Sequence, residues 1–336
     1  MPFFSKSGML ALAVLTLAVA LLPGQAFAET DEVTEWLNRA AAAAHRLNYK
    51  GTVSCSIFQG TQKARSDFLK IAHYAQEDKE YLRTETLNGS FRETIRINDI
   101  VRAYFPEIKT VRVMPSALSH APPGVMQNNI QSDTKAIFKN YVFTKAGVER
   151  VAGRAAQVVV FTPKDNYRYE QRLWIDQETG LFLAGRTIDL STQRDVESFS
   201  FVDIKINVSP PEPLVIAWPE PPSDWKVEQT GFDKKKNVVS DWRASALPPG
   251  FSKIAEETRH FAGRTEATTV LVYSDGLMAV SVFIEHAQGA TPSATGNFSM
   301  GFLEAYTRQD GEYRITAVGK VPNDTLRFIA QGLARK

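Results

Sequence analysis

"RLWIDQETGLFLAGRTI", Arg172 to Ile188, decides how this chain is read. Two apolar runs, "RLWID" and "GLFLAGR", flank a short polar reversal, "QET", and the reversal carries two acids, Asp176 and Glu178. A catalytic carboxylate pair has to face one cleft, with at least one member buried so that its pKa rises. A hairpin needs less: an Asp that caps the turn through its side chain and a Gly, here Gly180, that takes positive φ without steric cost. The tip of a hairpin is usually solvated, so the stretch reads as two strands joined by an acidic, structural turn.

The same pattern repeats along the first two thirds of the chain. "GTVSCSIFQ", "DFLKIAHYA", "EYLRTETL", "FRETIRIN", "IVRAYF", "IKTVRVM", "YVFTKAGVERV", "AAQVVVFTP", "YRYEQRLWID", "GLFLAGRTIDL" and "DVESFSFVDIKI" alternate or run apolar, with turn signals such as Asn88-Gly89 and Asn98-Asp99 between them. About eleven short strands with almost no helices between them cannot form a parallel crossover sheet. They predict one large antiparallel sheet, which at that size tends to curl or close. A helix over Asp31–Leu47, with Trp36, Leu37, Ala40, Ala44 and Leu47 at helical spacing, is available to cover it. The expected fold is α+β, mainly antiparallel β: a half-closed barrel with an apolar concave face and a covering helix, followed by a smaller α+β domain.

That second domain is announced by composition. Six of the 17 prolines fall between Pro210 and Pro222, predicting an extended linker over 209–222 between a first domain at 29–208 and a second at 223–336. In the second domain "TTVLVYSDGLMAVSVFIE" reads as a hairpin turning at Ser274-Asp275-Gly276, and "FLEAYTRQDGEYRITAVGKV" as another turning at Asp310-Gly311. "PNDTLRFIAQGLARK" reads as a closing helix capped by Asn323 or Asp324. At the other end, Lys6 is the only charge among the first 28 residues, Met9 to Leu22 is apolar, and "AFA" precedes Glu29. This is the pattern of a signal peptide, 1–28, cleaved after Ala28, and it places the mature chain outside the cytoplasm.

The chemistry expected of most enzymes has no support here. A formal net charge of +2 gives no reason to expect nucleic acid as a partner. Cys55 is the sole cysteine and sits on an alternating strand, so it reads as a small buried apolar residue and no intrachain disulfide can form. The five histidines are scattered without metal-ligand spacing, and no phosphate or dinucleotide loop occurs. "NFSMG" at Asn297–Gly301 falls one residue short of a nucleophile elbow and heads a strand. The sequence therefore predicts no enzyme, no metal site and no cofactor.

Several stretches together resemble the MucB/RseB family of periplasmic regulators: "LNYKGTVSCSIFQG", "ETLNGSFRETIRINDIVRAYFP", "DNYRYEQRLWIDQETGLFL", "LVYSDGLMAVSVFIE" and "GKVPNDTLRFIAQGL". They extend in order over nearly the whole mature chain; "SCSIFQG" departs from the bulkier residues usual in relatives. The resemblance implies a first domain similar to the lipoprotein carriers LolA and LolB. It implies a protein that binds the periplasmic part of a single-span RseA/MucA-type anti-sigma factor and shields it from regulated proteolysis. An envelope-stress sigma factor thereby stays sequestered until lipid or lipopolysaccharide loosens the complex. A homodimer is compatible with this reading. A periplasmic lipid or lipoprotein carrier is the alternative, although a carrier needs only the half-barrel.

Aromatic and branched strand residues Phe91, Ile95, Tyr104, Phe143, Phe161, Trp174 and Phe182 are the candidates for the lipid-binding concavity. Tyr273, Phe283, Arg264 and Arg308, with the basic run Lys234, Lys235 and Lys236 near the joint, are the candidates for the partner surface. Each of these could equally be core or solvated face, because an alternating strand always offers such side chains.

Overall fold

The protein is described by a computed structural model that covers residues 23–59, 62–76, 79–116, 137, 139–210, 218–229, 240–259, 266–287, 295–300 and 303–335. Most of the expected signal peptide and the run Lys234–Lys236 lie outside these residues, as does Arg264.

Helix α1, Pro23–Arg46, begins earlier than the spacing predicted and ends where it predicted. Val33, Leu37, Ala40, Ala43 and Ala44 form its buried stripe, and the run of alanines lets the helix lie close to the sheet beneath. That sheet contains all eleven expected strands: β1 Tyr49–Gln59, β2 Gln62–Gln76, β3 Lys79–Thr86, β4 Glu93–Ile97, β5 Ile100–Phe105, β6 Thr110–Pro115, β7 Tyr141–Val151, β8 Arg154–Pro163, β9 Glu170–Asp176, β10 Phe182–Asp189 and β11 Arg194–Ile206. Neighbours pair antiparallel in the order β6-β5-β4-β3-β2-β1-β11-β10-β9-β8-β7, so the first and last strands of the domain meet at its centre. The sheet is strongly curled, because edge strand β7 comes back into contact with β11, four places along the ladder, and with α1.

A twelfth strand, β12 at Lys226–Gln229, pairs parallel to β6 on the other edge. The chain beyond the proline-rich segment therefore returns to the first sheet before the second module starts. In that module β13 Trp242–Ala244 pairs with β20 Leu333–Arg335. The six strands β14 Ser252–Arg259, β15 Thr268–Ser274, β16 Ala279–His286, β17 Gly296–Met300, β18 Leu303–Asp310 and β19 Tyr313–Gly319 run in the order β14-β15-β16-β19-β18-β17. Helix α2, Asn323–Gly332, packs on β18 and β19 through Leu326, Ile329 and Ala330. Its N-cap is Pro322 without a side-chain bond, whereas the sequence suggested Asn323 or Asp324; Asp324 lies in the first turn and holds Arg327 at 2.8 Å.

The hairpin at Asp176–Leu181 is structural and its tip, Gln177 and Glu178, is exposed, as expected; the acid at the base of the turn is not. Asp176 is buried, with Arg154 donating to both carboxylate oxygens at 2.8 and 2.9 Å and the Thr179 amide and hydroxyl donating at 2.8 and 2.7 Å. Burial pushes its pKa up, but the hydrogen bonds from Arg154 and Thr179 outweigh it and hold the carboxyl below its ordinary value. The turn docks on α1 at its base: Arg39 donates to the Gln177 carbonyl at 3.1 Å, and Gly180 has φ +81° with its backbone against that of Arg39. A Cβ on Gly180 would stand 3.1 Å from the Arg39 carbonyl oxygen. Gly180→Ala therefore both strains the turn and pushes the helix outward, and is expected to cost about 1–3 kcal/mol in urea unfolding. An unchanged midpoint would show that this hairpin does not hold the helix.

Candidate functional site

The lipid-site candidates separate into four places. Phe143, Phe161 and Phe182 converge in the core between α1 and the concave face, where the rings of Phe143 and Phe161 meet edge to face at 4.9 Å. Trp174, opposite Val158 and Ala184, lies on the other face of its strand. The Trp174 indole N–H donates to Glu149 at 2.9 Å. Ile95 and Tyr104 belong to a second cluster on the opposite face. Register is the reason: Arg96 opposes Leu82, which faces the helix-side core, so Ile95, opposite Arg83, faces away. Phe91, at 41% exposed, belongs to neither cluster.

The second cluster is roofed by the joint between the domains. Trp218 and Trp225 pack over Ile95, Tyr104, Val111 and Val113. Tyr104 donates its hydroxyl to the Pro219 carbonyl at 2.8 Å, and the Arg102 guanidinium lies 4.8 Å from the centre of the Trp218 ring. Lys109 pairs with Asp224 at 2.6 Å and Arg112 with Glu228 at 3.1 Å. The proline-rich segment is thus clamped to the sheet at its described end.

A polar cluster fastens the exit of α1. Buried His73 places Nδ1 2.7 Å from the Leu47 carbonyl and Nε2 2.9 Å from Glu80, and Tyr49 stacks on its ring at 4.9 Å. His45 reaches the other Glu80 oxygen at 3.1 Å, and Arg96 bonds the first. Burial raises the Glu80 pKa, yet the bonds from His73, Arg96 and His45 prevail and bring it down to about 2. A carboxyl with a depressed folded-state pKa stabilises the fold above its unfolded pKa and loses that contribution as pH falls through the folded value. Discounted for partial exposure, the contribution is on the order of 1–2 kcal/mol. Denaturant midpoints of wild type and Glu80→Gln are expected to differ at pH 7 and converge as pH drops from about 4.5 to about 2.

The seam between the domains holds a buried charge. Arg168, just before β9, has a fully buried side chain and lies 3.4 Å from the equally buried Asp275 and 3.3 Å from Asp165. It also donates to the Pro249 carbonyl and sits over the rings of Tyr141 and Phe251 at 5.5 and 5.3 Å. Asp275, in the β15–β16 turn, accepts from the Leu277 and Met278 amides at 3.0 and 2.7 Å and from the Tyr141 hydroxyl at 3.1 Å. Burial, then the Asp275 carboxylate, push the Tyr141 pKa well up. Around this point Lys320 pairs with Glu197 at 2.5 Å, and Thr325 donates to the Tyr167 carbonyl at 2.7 Å. Gly250 lies so close to Asn140 that a Cβ would come within 1.9 Å of its amide nitrogen. The sequence marked Asp275 only as a turn residue and did not mark Arg168; "SDG" was the only signal, and it pointed to the hairpin.

The partner-surface candidates do not converge. Tyr273 is buried in the core of the second domain, and Phe283 is half-buried on β16. Arg308 donates to the Ala330 carbonyl at 2.7 Å and to that of Leu333, so it closes the C-terminal end of α2. Among the described residues no three His, Cys, Asp or Glu side chains stand close enough to share a metal ion. Burial, then the nearby carboxylates of Asp67 and Glu197, push the Cys55 thiol up to about 12, which leaves it a packing residue.

The polar clusters hold helix, hairpin and domains in place, and the class the fold defines is a two-domain protein of mainly antiparallel sheets. Residues 32–225 match the MucB/RseB N-terminal domain and residues 236–334 the MucB/RseB C-terminal domain, and the chain belongs to the MucB/RseB family. It is 28% identical over 315 residues to the sigma-E factor regulatory protein RseB of Haemophilus influenzae, covering 93% of this chain and 94% of that one. It is also 28% identical over 327 residues to the sigma factor AlgU regulatory protein MucB of Pseudomonas aeruginosa, covering 94% and 96%. Its fold matches that of MucB in the Pseudomonas aeruginosa MucA/MucB complex with a TM-score of 0.68 at 24% identity, covering 91% of this chain and 99% of that one.

Removing one partner of a buried ion pair costs about 3–5 kcal/mol, because the other is left uncompensated. Asp275→Ala is therefore expected to loosen the seam and render the segment near Pro249 cleavable in limited proteolysis. A digestion pattern identical to wild type would remove the seam as the determinant of domain arrangement.

Proposed function

We propose that this protein is a negative regulator of an envelope-stress sigma factor of the sigma-E/AlgU type. It binds the periplasmic segment of a single-span RseA/MucA-type anti-sigma factor and shields it from regulated proteolysis. The observation that carries the reading is that both domains, in order and over nearly the whole described chain, belong to one family of sigma-factor regulators. The solved relative with MucA bound lends the partner its class. The N-terminal apolar run with "AFA" before Glu29 supports export to the periplasm.

Lipid sensing is the second half of the proposal. The curled sheet under α1 is lined by Phe143, Phe161 and Phe182, which are packed against the helix-side core. A hydrocarbon tail enters there by exchanging contacts with the helix, and it gains about 0.8 kcal/mol per methylene buried. Only the difference in tail affinity between partner-free and partner-bound protein drives release. A tenfold loss of partner affinity needs about 1.4 kcal/mol of that difference. The lipid-carrier alternative leaves the second domain, with its seam to the first, unused.

A protease-protection assay tests the reading. The anti-sigma factor's periplasmic segment is expected to be cleaved several-fold more slowly when this protein is added, and protection is expected to fall when a lipopolysaccharide fragment is present. Equal cleavage with and without the protein removes the regulatory reading; protection indifferent to the fragment removes only the sensing half.

A further inference from the structure

Ten large apolar side chains stand exposed among the described residues, and four gather on one rim of the first domain. Leu87 and Phe91, 51% and 41% exposed, flank the turn between β3 and β4, and Ile108, 60% exposed, tips the turn between β5 and β6. Phe68, 42% exposed, lies on β2, and its carbonyl accepts the Leu87 amide at 2.8 Å. The register explains the grouping. Glu85 opposes Glu93, and Glu93 opposes Tyr104, so both turns leave the sheet on the same side. With strands about 4.8 Å apart, the four residues cover roughly 15 Å of the rim.

The β3–β4 turn is braced. Thr86 Oγ1 accepts from the Arg92 amide at 2.8 Å and donates to the Ser90 carbonyl at 3.1 Å. Asn88 accepts from the Phe68 amide at 2.6 Å and donates to the Ser66 carbonyl at 2.9 Å. These bonds hold Leu87 and Phe91 out in water, against the hydrophobic effect, which marks a surface that meets something. Charge narrows the class. Arg65 and the half-buried Arg92 flank Phe68 and Leu87, and the carboxylate that pairs Arg65, Asp67 at 2.7 Å, serves both guanidiniums. With one carboxylate between two guanidiniums, the group carries a net positive charge.

We propose that this rim docks on an anionic lipid surface, with Leu87, Phe91 and Ile108 entering the interface and Arg65 and Arg92 meeting lipid phosphates. Separate projecting tips suit a bilayer interface, whereas a bound peptide uses a groove or an open strand edge. The inference goes beyond the proposed function, in which a tail enters the sheet and a polypeptide is covered.

The test is co-sedimentation of the processed protein with vesicles of phosphatidylglycerol and phosphatidylcholine in equal parts, against phosphatidylcholine alone. The expected result is sedimentation with the anionic vesicles that falls as salt rises and drops at least tenfold in the triple variant L87S/F91S/I108S. Arg92→Gln is expected to lower it as well, while Ile254→Ser, which removes an exposed apolar side chain of the second domain, leaves it unchanged. Circular dichroism of each variant checks that the fold is kept. Wild-type protein that stays in the supernatant, or a triple variant that sediments as well as wild type, overturns the proposal. So does a chain that never sediments but whose triple variant loses the anti-sigma segment, because the rim then belongs to the polypeptide partner.

Discussion

A guanidinium shut away from water has to be neutralised by whatever encloses it, and Arg168 is enclosed by parts of both domains. Its charge is met by Asp165 from its own loop and by Asp275 from the turn of the second domain, with the rings of Tyr141 and Phe251 on its faces. Neither domain alone supplies the set. A desolvated ion pair adds little net stability, since the cost of leaving water offsets most of the attraction. What it adds is specificity of arrangement: if the second domain swings away, Arg168 and Asp275 must both find water or remain unpaired. The pair therefore favours one docked arrangement over intermediate ones.

The joint sharpens this. Composition predicted an extended linker between the domains, with Trp218 among the apolar residues that suggested it packs on something. The described end is held by Trp218 and Trp225 on the outer face of the sheet and by β12 on the β6 edge. The clamp also covers an open strand edge, which is a liability in any exposed sheet. Its rim ion pairs, Lys109–Asp224 and Arg112–Glu228, are exposed and contribute little, so the two tryptophans carry most of the attachment.

Strand count, hairpin positions and the closing helix were legible in the sequence because each rests on local chemistry. A turn such as Asp310-Gly311 or Asn88-Gly89 needs a particular backbone, and an alternating run needs a sheet. Which face of a strand looks inward is not local. Alternation separates Ile95 from its neighbours but cannot tell the helix-covered face from the one roofed by Trp218, because both are apolar. The same limit hid the burial of Asp176 at the base of an exposed tip: the guanidinium that holds its carboxylate, Arg154, comes from another strand. Arg168 was invisible for the opposite reason. A lone arginine between two tyrosines carries no pattern, and only the approach of a second domain makes it decisive.

The position of the two polar clusters bears on how a tail in the sheet could reach a polypeptide bound elsewhere. His73 and Glu80 fasten the exit of α1 to β2, β3 and β4, while the Asp176 hairpin fastens the helix further back, on β9 and β10. The helix is thus pinned at both ends of the apolar lining, and an exposed pair between Glu32 and Lys145 adds a contact with β7. A guest beneath it has to strain one pin or the other before it disturbs the sheet. Strand β9 leads from the hairpin straight back to Glu170, two residues from Arg168. A displacement of the hairpin therefore has a short, rigid route to the seam, through one strand of seven residues paired on both sides. The His73–Glu80 pin has no comparable route, since β2 and β3 lie on the other arm of the sheet. If binding beneath α1 and the docking of the second domain are coupled, two elements are placed to couple them: β9, which starts two residues after Arg168, and β7, which meets α1 through Lys145 and Glu32 and whose Tyr141 donates to Asp275.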